Sequence, residues 1–270
     1  IIMALLIFIG MVGYDNITDK AQPTTPVQQE QQKISKHEKS AAMALFTSLL
    51  PPKEEWPSPV HKFYLAFNMD EVIDPIRQNP NWTGLDAMSR DIPQALIAIE
   101  DHAFYNHGAI AVEGILRAAL ANINAGEVVQ GGSTLTQQFV KNVFLSHEQS
   151  MERKIEEAVL SLMLEDNYSK DEILELYLNT TYFGAGSTGI KQASRTYFGK
   201  APSALTLAEA AVIASLPYAP TSLNPLENPE GCKKRQLLVL AAMHKYGMIN
   251  QGQLAEAKAE KIRLTNGTVM

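Results

Sequence analysis

"DIPQALIAIEDHAFYNHGAI", residues 91–110, carries an apolar run that ends abruptly in two adjacent carboxylates, Glu100 and Asp101, followed at once by two histidines and two aromatics. Asp91 followed by Pro93 is a helix-start signal, and "QALIAIE" supplies the body of a helix whose far end holds Glu100. A carboxylate at the end of an apolar helix is partly desolvated, which suits it to work as a general base or acid. Taken alone, the pair reads more simply as a solvated helix end, and His107 as a structural hydrogen-bonding group.

Outward from this stretch the pattern stays helical. "VEGILRAALANINAG" has Ala and Leu at helical spacing and stops at Gly126. After the loop "AGEVVQGGS", the segment "TLTQQFVKNVFL" repeats Leu135, Phe139 and Val143 every four residues, with Thr134, Gln138 and Lys141 on a different face. In "SMERKIEEAVLSLMLED" the expected buried stripe is Ile155, Val159, Leu162 and Met163. Ser169 with Glu172 and Thr206 with Glu209 each match a capping box, which predicts helices beginning at Lys170 and Leu207. The first of these helices places Leu174 and Leu178 on one side. No alternating β-branched run is long enough to propose a sheet, and no internal repeat is evident. The fold class is therefore mainly α, with no more than a minor strand element.

Composition bounds the partners. The chain has 270 residues, 46% of them hydrophobic, and a formal net charge of −6. That content builds one large core with room for a subsidiary lobe. The negative balance disfavours nucleic acid as a partner, because neutralising phosphates requires a concentrated excess of Lys and Arg. The single Cys232 forms no internal disulfide, and the six histidines lack zinc spacing. At the N-terminus, "IIMALLIFIGMV" is uninterrupted by charge and leads into a polar stretch rich in Gln, Thr and Pro. About 20 apolar residues are needed to cross a bilayer, so residues 1–13 read as a partial transmembrane anchor. A signal-peptide core or an amphipathic anchor is the alternative. Residues 14–40 read as a flexible polar linker, and residues 41–84 as a variable segment before the main domain.

Three further segments carry possible chemistry. "QGGSTLTQQFVKN" places glycines, hydroxyls and free backbone N–H groups at a helix start, an arrangement that holds anions. It is not a Walker A loop, because no Lys directly follows the glycines. A Gly-rich turn with an ordinary N-cap is the plain alternative. In the next helix, Arg153 and Glu157 lie four apart and share a face, forming either a surface salt bridge or part of a grip on a pyrophosphate with Lys154. The loop "YFGAGSTGI" has more small residues than a connector needs and could approach a ligand closely.

Together and in this order, these segments resemble the bacterial peptidoglycan glycosyltransferases, glycosyltransferase family 51. That family comprises the glycosyltransferase module of class A penicillin-binding proteins and the related monofunctional enzymes. The first signature, Glu-Asp-x-x-Phe-x-x-His, stands as Glu100, Asp101, Phe104 and His107. The second runs unbroken from Gly131 to Asn142, and Arg153, Lys154 and Glu157 form the third. The fourth includes Glu175, Tyr177, Asn179 and Tyr182-Phe183-Gly184, and the fifth is "LTLAEAAVIASLPYAPTSLNP". One departure occurs: Ala109 stands where the family usually has Gly, and Gly108 comes one position early. The likeness covers roughly residues 85–260, leaving 261–270 as a C-terminal tail.

The resemblance implies a lysozyme-like two-lobed domain with a long cleft. It implies an inverting hexosyltransferase that joins lipid II to a growing glycan chain, with a divalent cation such as Mg or Mn possible at Glu157 but no cofactor demanded. By the same resemblance Glu100 and Glu157 are the catalytic carboxylates. Asp101, Phe104, His107, Gly132, Ser133, Thr134, Gln138, Lys141, Asn142, Arg153 and Lys154 would serve the substrate. The expected place is the outer face of the bacterial cytoplasmic membrane, among cell-wall synthesis proteins, with sensitivity to phosphoglycolipids of the moenomycin type. Two rival readings are a muramidase or lytic transglycosylase, which uses a Glu as general acid on a glycosidic bond, and an inactive scaffold that binds cell-wall precursors. Cleavage would not need the cations Lys141, Arg153 and Lys154. A transpeptidase is unsupported, since neither Ser-x-x-Lys nor Lys-Thr-Gly occurs.

Overall fold

A computed structural model describes residues 64–65, 68–114, 132–145 and 150–270. Its described residues are mainly helical, with two isolated antiparallel bridges, Tyr182 to Thr188 and Arg263 to Val269, as the strand content. The helices are α1 (Asp70–Arg77), α2 (Asp91–Glu100), α3 (Leu135–Phe144), α4 (Met151–Asn167), α5 (Lys170–Thr180), α6 (Ile190–Phe198), α7 (Leu207–Ser215), α8 (Pro229–Lys245) and α9 (Gln251–Ala259). The expected helix after residue 112 is entered at residues 112–114, and the rest of it lies outside the described residues, as does the apolar N-terminal run. No described helix is long and apolar enough to cross a membrane.

Local signals set the boundaries. Ser169 and Thr206 accept hydrogen bonds from the backbone N–H of Glu172 and Glu209, and each Glu side chain accepts in return from the cap's own N–H. Helices α5 and α7 therefore begin at Lys170 and Leu207, where the sequence places them. Thr134 caps α3 in the same reciprocal way with Gln137.

The helices pack in two groups. In one, α2, α7 and α8 contact one another, and α7 is buried from Ala208 to Ser215. Its alanines let the neighbouring helices approach closely, and its one buried carboxylate, Glu209, is paired with Lys200 at 2.6 Å. In the other group α3 packs on α4 and α5. Leu96, Leu135, Phe139, Leu164 and Leu174 are among the fully buried side chains of one continuous core. Leu178 shares Leu174's side of α5, as the spacing predicts. Residues 262–270 double back on themselves, with Ile262 and Leu264 buried and Thr265 N–H donating to Tyr197 O.

Helix α4 differs from expectation. Ile155 is 47% exposed and Val159 and Leu162 are only partly buried; Met163 alone of the four is buried. The face turned inward is Glu157, Leu160, Ser161 and Leu164. Hydrophobicity alone misplaces this stripe because a carboxylate occupies an inward position, where Lys154 and Arg153 compensate its charge.

Candidate active site

Glu100 ends α2, and Asp101 leaves the helix with φ −158°, so the two carboxylates part immediately. Glu100 Oε2 accepts a hydrogen bond from Gln138 Nε2 on α3 at 3.0 Å. Gln138 Oε1 in turn accepts from the Tyr177 hydroxyl on α5 at 3.0 Å. Tyr177 is fully buried; burial first, and the charge of Glu100 second, hold its phenol far above its ordinary pKa. A phenol that stays protonated is a fixed donor, so it determines which way the Gln138 amide faces and aims its NH2 group at Glu100. Glu100 Oε1 has no hydrogen-bond partner among the described residues.

Asp101 joins the loop after α2 to the start of α3. Its Oδ1 lies 2.6 Å from His107 Nε2, and its Oδ2 accepts from Leu135 N at 3.1 Å, at the positive end of α3. His107 Nδ1 lies 2.6 Å from Gly108 O. Carboxylate and carbonyl oxygens accept, so this geometry favours the imidazolium, the form of the ring that donates from both nitrogens. Burial works against that charge, but the Asp101 carboxylate and the Gly108 carbonyl outweigh it and raise the His107 pKa. Ala109, in the place of the usual glycine, has no positive φ. It is buried, and its carbonyl accepts from Thr134 Oγ1 at 2.8 Å, so an alanine serves there without strain.

Thr134 and Phe104 lie beneath the site. Thr134 is 1% exposed, with its hydroxyl committed to Ala109 O and Gln137 N. Phe104 is 0% exposed, with the Lys170 ammonium 4.4 Å above its ring centroid.

Around Glu157 the described residues gather two cations and a hydroxyl. Lys154 Nζ bonds the Glu157 carboxylate and donates to Ser133 Oγ at 3.2 Å. Arg153 Nη1 lies 3.8 Å from Glu157 Oε2. Arg153 Nε is buried with no hydrogen-bond partner among the described residues, a donor whose desolvation is not offset there. Gly132 precedes Ser133 and is partly exposed, and Lys141 and Asn142 are exposed further along α3. Lys141 has no ion pair among the described residues. Helix α3 and the residues leading into it thus reach both carboxylates, Glu100 through Gln138 and the Lys154–Glu157 pair through Ser133.

A divalent cation would need several oxygen ligands. The Glu157 carboxylate is already engaged by Lys154 and Arg153, and no cluster of three His, Cys, Asp or Glu groups suited to a metal occurs among the described residues. This donor set fits an anion and does not fit a cation, so no step below runs through a metal.

The sequence reading names Tyr177 and Asn179 in a signature without giving them a task. Asn179 Oδ1 accepts from Thr83 N and its Nδ2 donates to Thr83 O, both at 2.9 Å, while Glu175 Oε2 accepts from Leu85 N at 2.8 Å. These side chains clamp the loop before α2. A polar residue at every second position of "ELYLN" is the signal that a purely amphipathic helix would lack. Gly184, at φ +87°, brings the backbone so close to Pro220 that a Cβ would sit 2.3 Å from its carbonyl oxygen, so only glycine fits.

Residues 69–244 match the family model described as Transglycosylase. A Cupriavidus necator protein provisionally named a transglycosylase is 41% identical over 194 residues, 72% of this chain and 84% of that protein. Penicillin-binding protein 1A of Neisseria flavescens is 44% identical over 185 residues, 68% of this chain but 23% of its own length. The same-named protein of Aquifex aeolicus is 44% identical over 176 residues, 65% of this chain and 24% of its own. The chain therefore spans about a quarter of these larger relatives. A crystal structure of penicillin-binding protein 1A from Haemophilus influenzae matches 48% of this chain and 16% of its own at 33% identity, with a TM-score of 0.34 that is too low to carry an argument.

Proposed function

Because the chain belongs to the transglycosylase family, we propose that it polymerises lipid II into linear peptidoglycan strands. The observation that carries this reading is the double reach of α3 and the residue before its cap: Gln138 bonds a carboxylate that has an unbonded oxygen, and Ser133 bonds the Lys154 of a cation cluster.

The 4-hydroxyl of an incoming lipid II attacks C1 of the growing chain. The new C1–O bond forms as the bond to the undecaprenyl pyrophosphate breaks, which inverts the centre to a β-1,4 link. An alcohol is a weak nucleophile at neutral pH, so its proton passes to a positioned base, Glu100 Oε1. The Gln138 amide holds the other oxygen and keeps the carboxylate in register. The leaving pyrophosphate gathers negative charge, which Arg153, Lys154 and the exposed Lys141 stabilise, with Ser133, Gly132 and Asn142 at its edge. Arg153 Nε, which has no partner among the described residues, finds an acceptor there. Glu157 orients the two cations. Asp101, His107, Thr134 and Phe104 act through position, by fixing the turn that presents Glu100 to the start of α3.

In this reading residues 85–260 form the catalytic domain and residues 1–13 hold it at the outer face of the cytoplasmic membrane, since the lipid tail of the substrate stays in the bilayer. Lipid II offered to the purified protein is expected to become glycan polymer, and cell-wall sacculi to release none. Release of glycan from sacculi with no polymer from lipid II would overturn the proposal and install a cleaving enzyme.

A further inference from the structure

Away from the Glu100 site, the segment after α1, the end of α5 and the start of α6 line a half-open cavity of about 220 Å³. Its walls are Ile76, Trp82 and six neutral hydrogen-bonding side chains: Asn79, Asn81, Asn179, Thr180, Thr188 and Gln192. No charged side chain lines it. Successive residues of an α-helix turn by about 100°, so Asn179 projects roughly 200° from Tyr177, on the side of α5 turned away from Glu100.

The cavity is rigidly built. Asn179 clamps Thr83 at both its N–H and its carbonyl, Glu175 holds Leu85 N, and Lys191 Nζ donates to Pro80 O at 2.9 Å. Asn79 Oδ1 accepts from Asn81 N at 2.8 Å, which shapes the turn leading to Trp82. Several groups remain uncommitted among the described residues: the Asn81 side chain, the Thr188 hydroxyl, and the NH2 groups of Asn79 and Gln192.

We propose that this cavity is a second, neutral-sugar subsite that takes an N-acetylhexosamine unit of a glycan. An apolar sugar face suits the Trp82 indole, and hydroxyl and acetamido groups suit the amides and the threonine. The absence of cationic lining sets it apart from the anion site at Arg153 and Lys154. A pre-formed wall lowers the entropy cost of binding. That the sugar belongs to the product strand rests on the glycosyltransferase reading; the cavity's sugar chemistry does not.

The test titrates oligomers of N-acetylglucosamine into the full chain and follows the tryptophan fluorescence. Saturable change is expected, and it should persist in Glu100→Gln, which alters only the Glu100 site. Gln192→Glu keeps an acceptor for Thr188 N but removes the NH2 donor; combined with Asn81→Ala it should weaken binding roughly tenfold, as the loss of about one to two hydrogen bonds implies. Circular dichroism of the double variant checks that it folds. Absence of saturable binding to the folded chain, or affinity unchanged in the folded double variant, would overturn the subsite. Sugar binding by a chain that fails to polymerise lipid II would uphold the subsite and remove the catalytic reading.

Discussion

At the scale of single residues, the site depends on donors that have no choice. The Tyr177 phenol is one. Tyr177→Phe keeps the ring in the core but leaves Gln138 Oε1 unpaired and the amide free to turn, so polymerisation should fall by roughly tenfold, the worth of about one hydrogen bond. Unchanged turnover by a folded Tyr177→Phe would show that Gln138 needs no orienting partner. His107 is another fixed donor. Its pKa is raised in the folded chain, so its contribution to stability is fully present below the unfolded value of about 6.5 and is lost as pH rises through the folded value. The stability gap between the wild type and His107→Asn, measured by denaturant unfolding, should be wider near about pH 5 than near about pH 9. A gap that grows with pH would reverse the assignment of the ring as a cation held by Asp101. The position of Glu100 at a helix end was legible in the sequence; the Tyr177–Gln138 chain was not, because its two members lie 39 residues apart and only tertiary packing brings them together.

Among the elements, those with local signals behave as the sequence says. Capping boxes set the starts of α5 and α7, since the reciprocal bonds involve residues only three apart. Thr206 also donates to Glu260 Oε1 at 2.7 Å, tying the start of α7 to the end of α9. Thr206→Ala should therefore cost about 1–2 kcal/mol, seen as a lower Tm with polymerisation retained below the transition; an unchanged Tm would show that the cap is dispensable. Helix α4 marks the limit of pattern reading. Its hydrophobic periodicity places Ile155 inside, whereas the structure turns Glu157 inward and leaves Ile155 half exposed. The inward carboxylate is tolerated because Lys154 and Arg153 travel with it on the same helix. The ion pairs there override the amphipathic rule, and the Arg153-Lys154-Glu157 spacing was the sign of them in the sequence.

Over the whole molecule, helical class and motif order were readable from one sequence, while the meeting of two helix groups at the site was not. Helix α2 belongs to the group with α7 and α8, and α3 to the group with α4 and α5. Glu100 reaches Gln138 across that boundary, so the proposed base sits where the groups join. On the proposed reading, Glu100 is the carboxylate that takes the proton. The most direct measurement is lipid II polymerisation by Glu100→Gln beside the wild type, with lipid II binding measured on the same preparations. Removing a general base costs about 10²–10⁴-fold. The account predicts a loss of that size in polymer formation with lipid II binding intact, and polymerisation at the wild-type rate would contradict it.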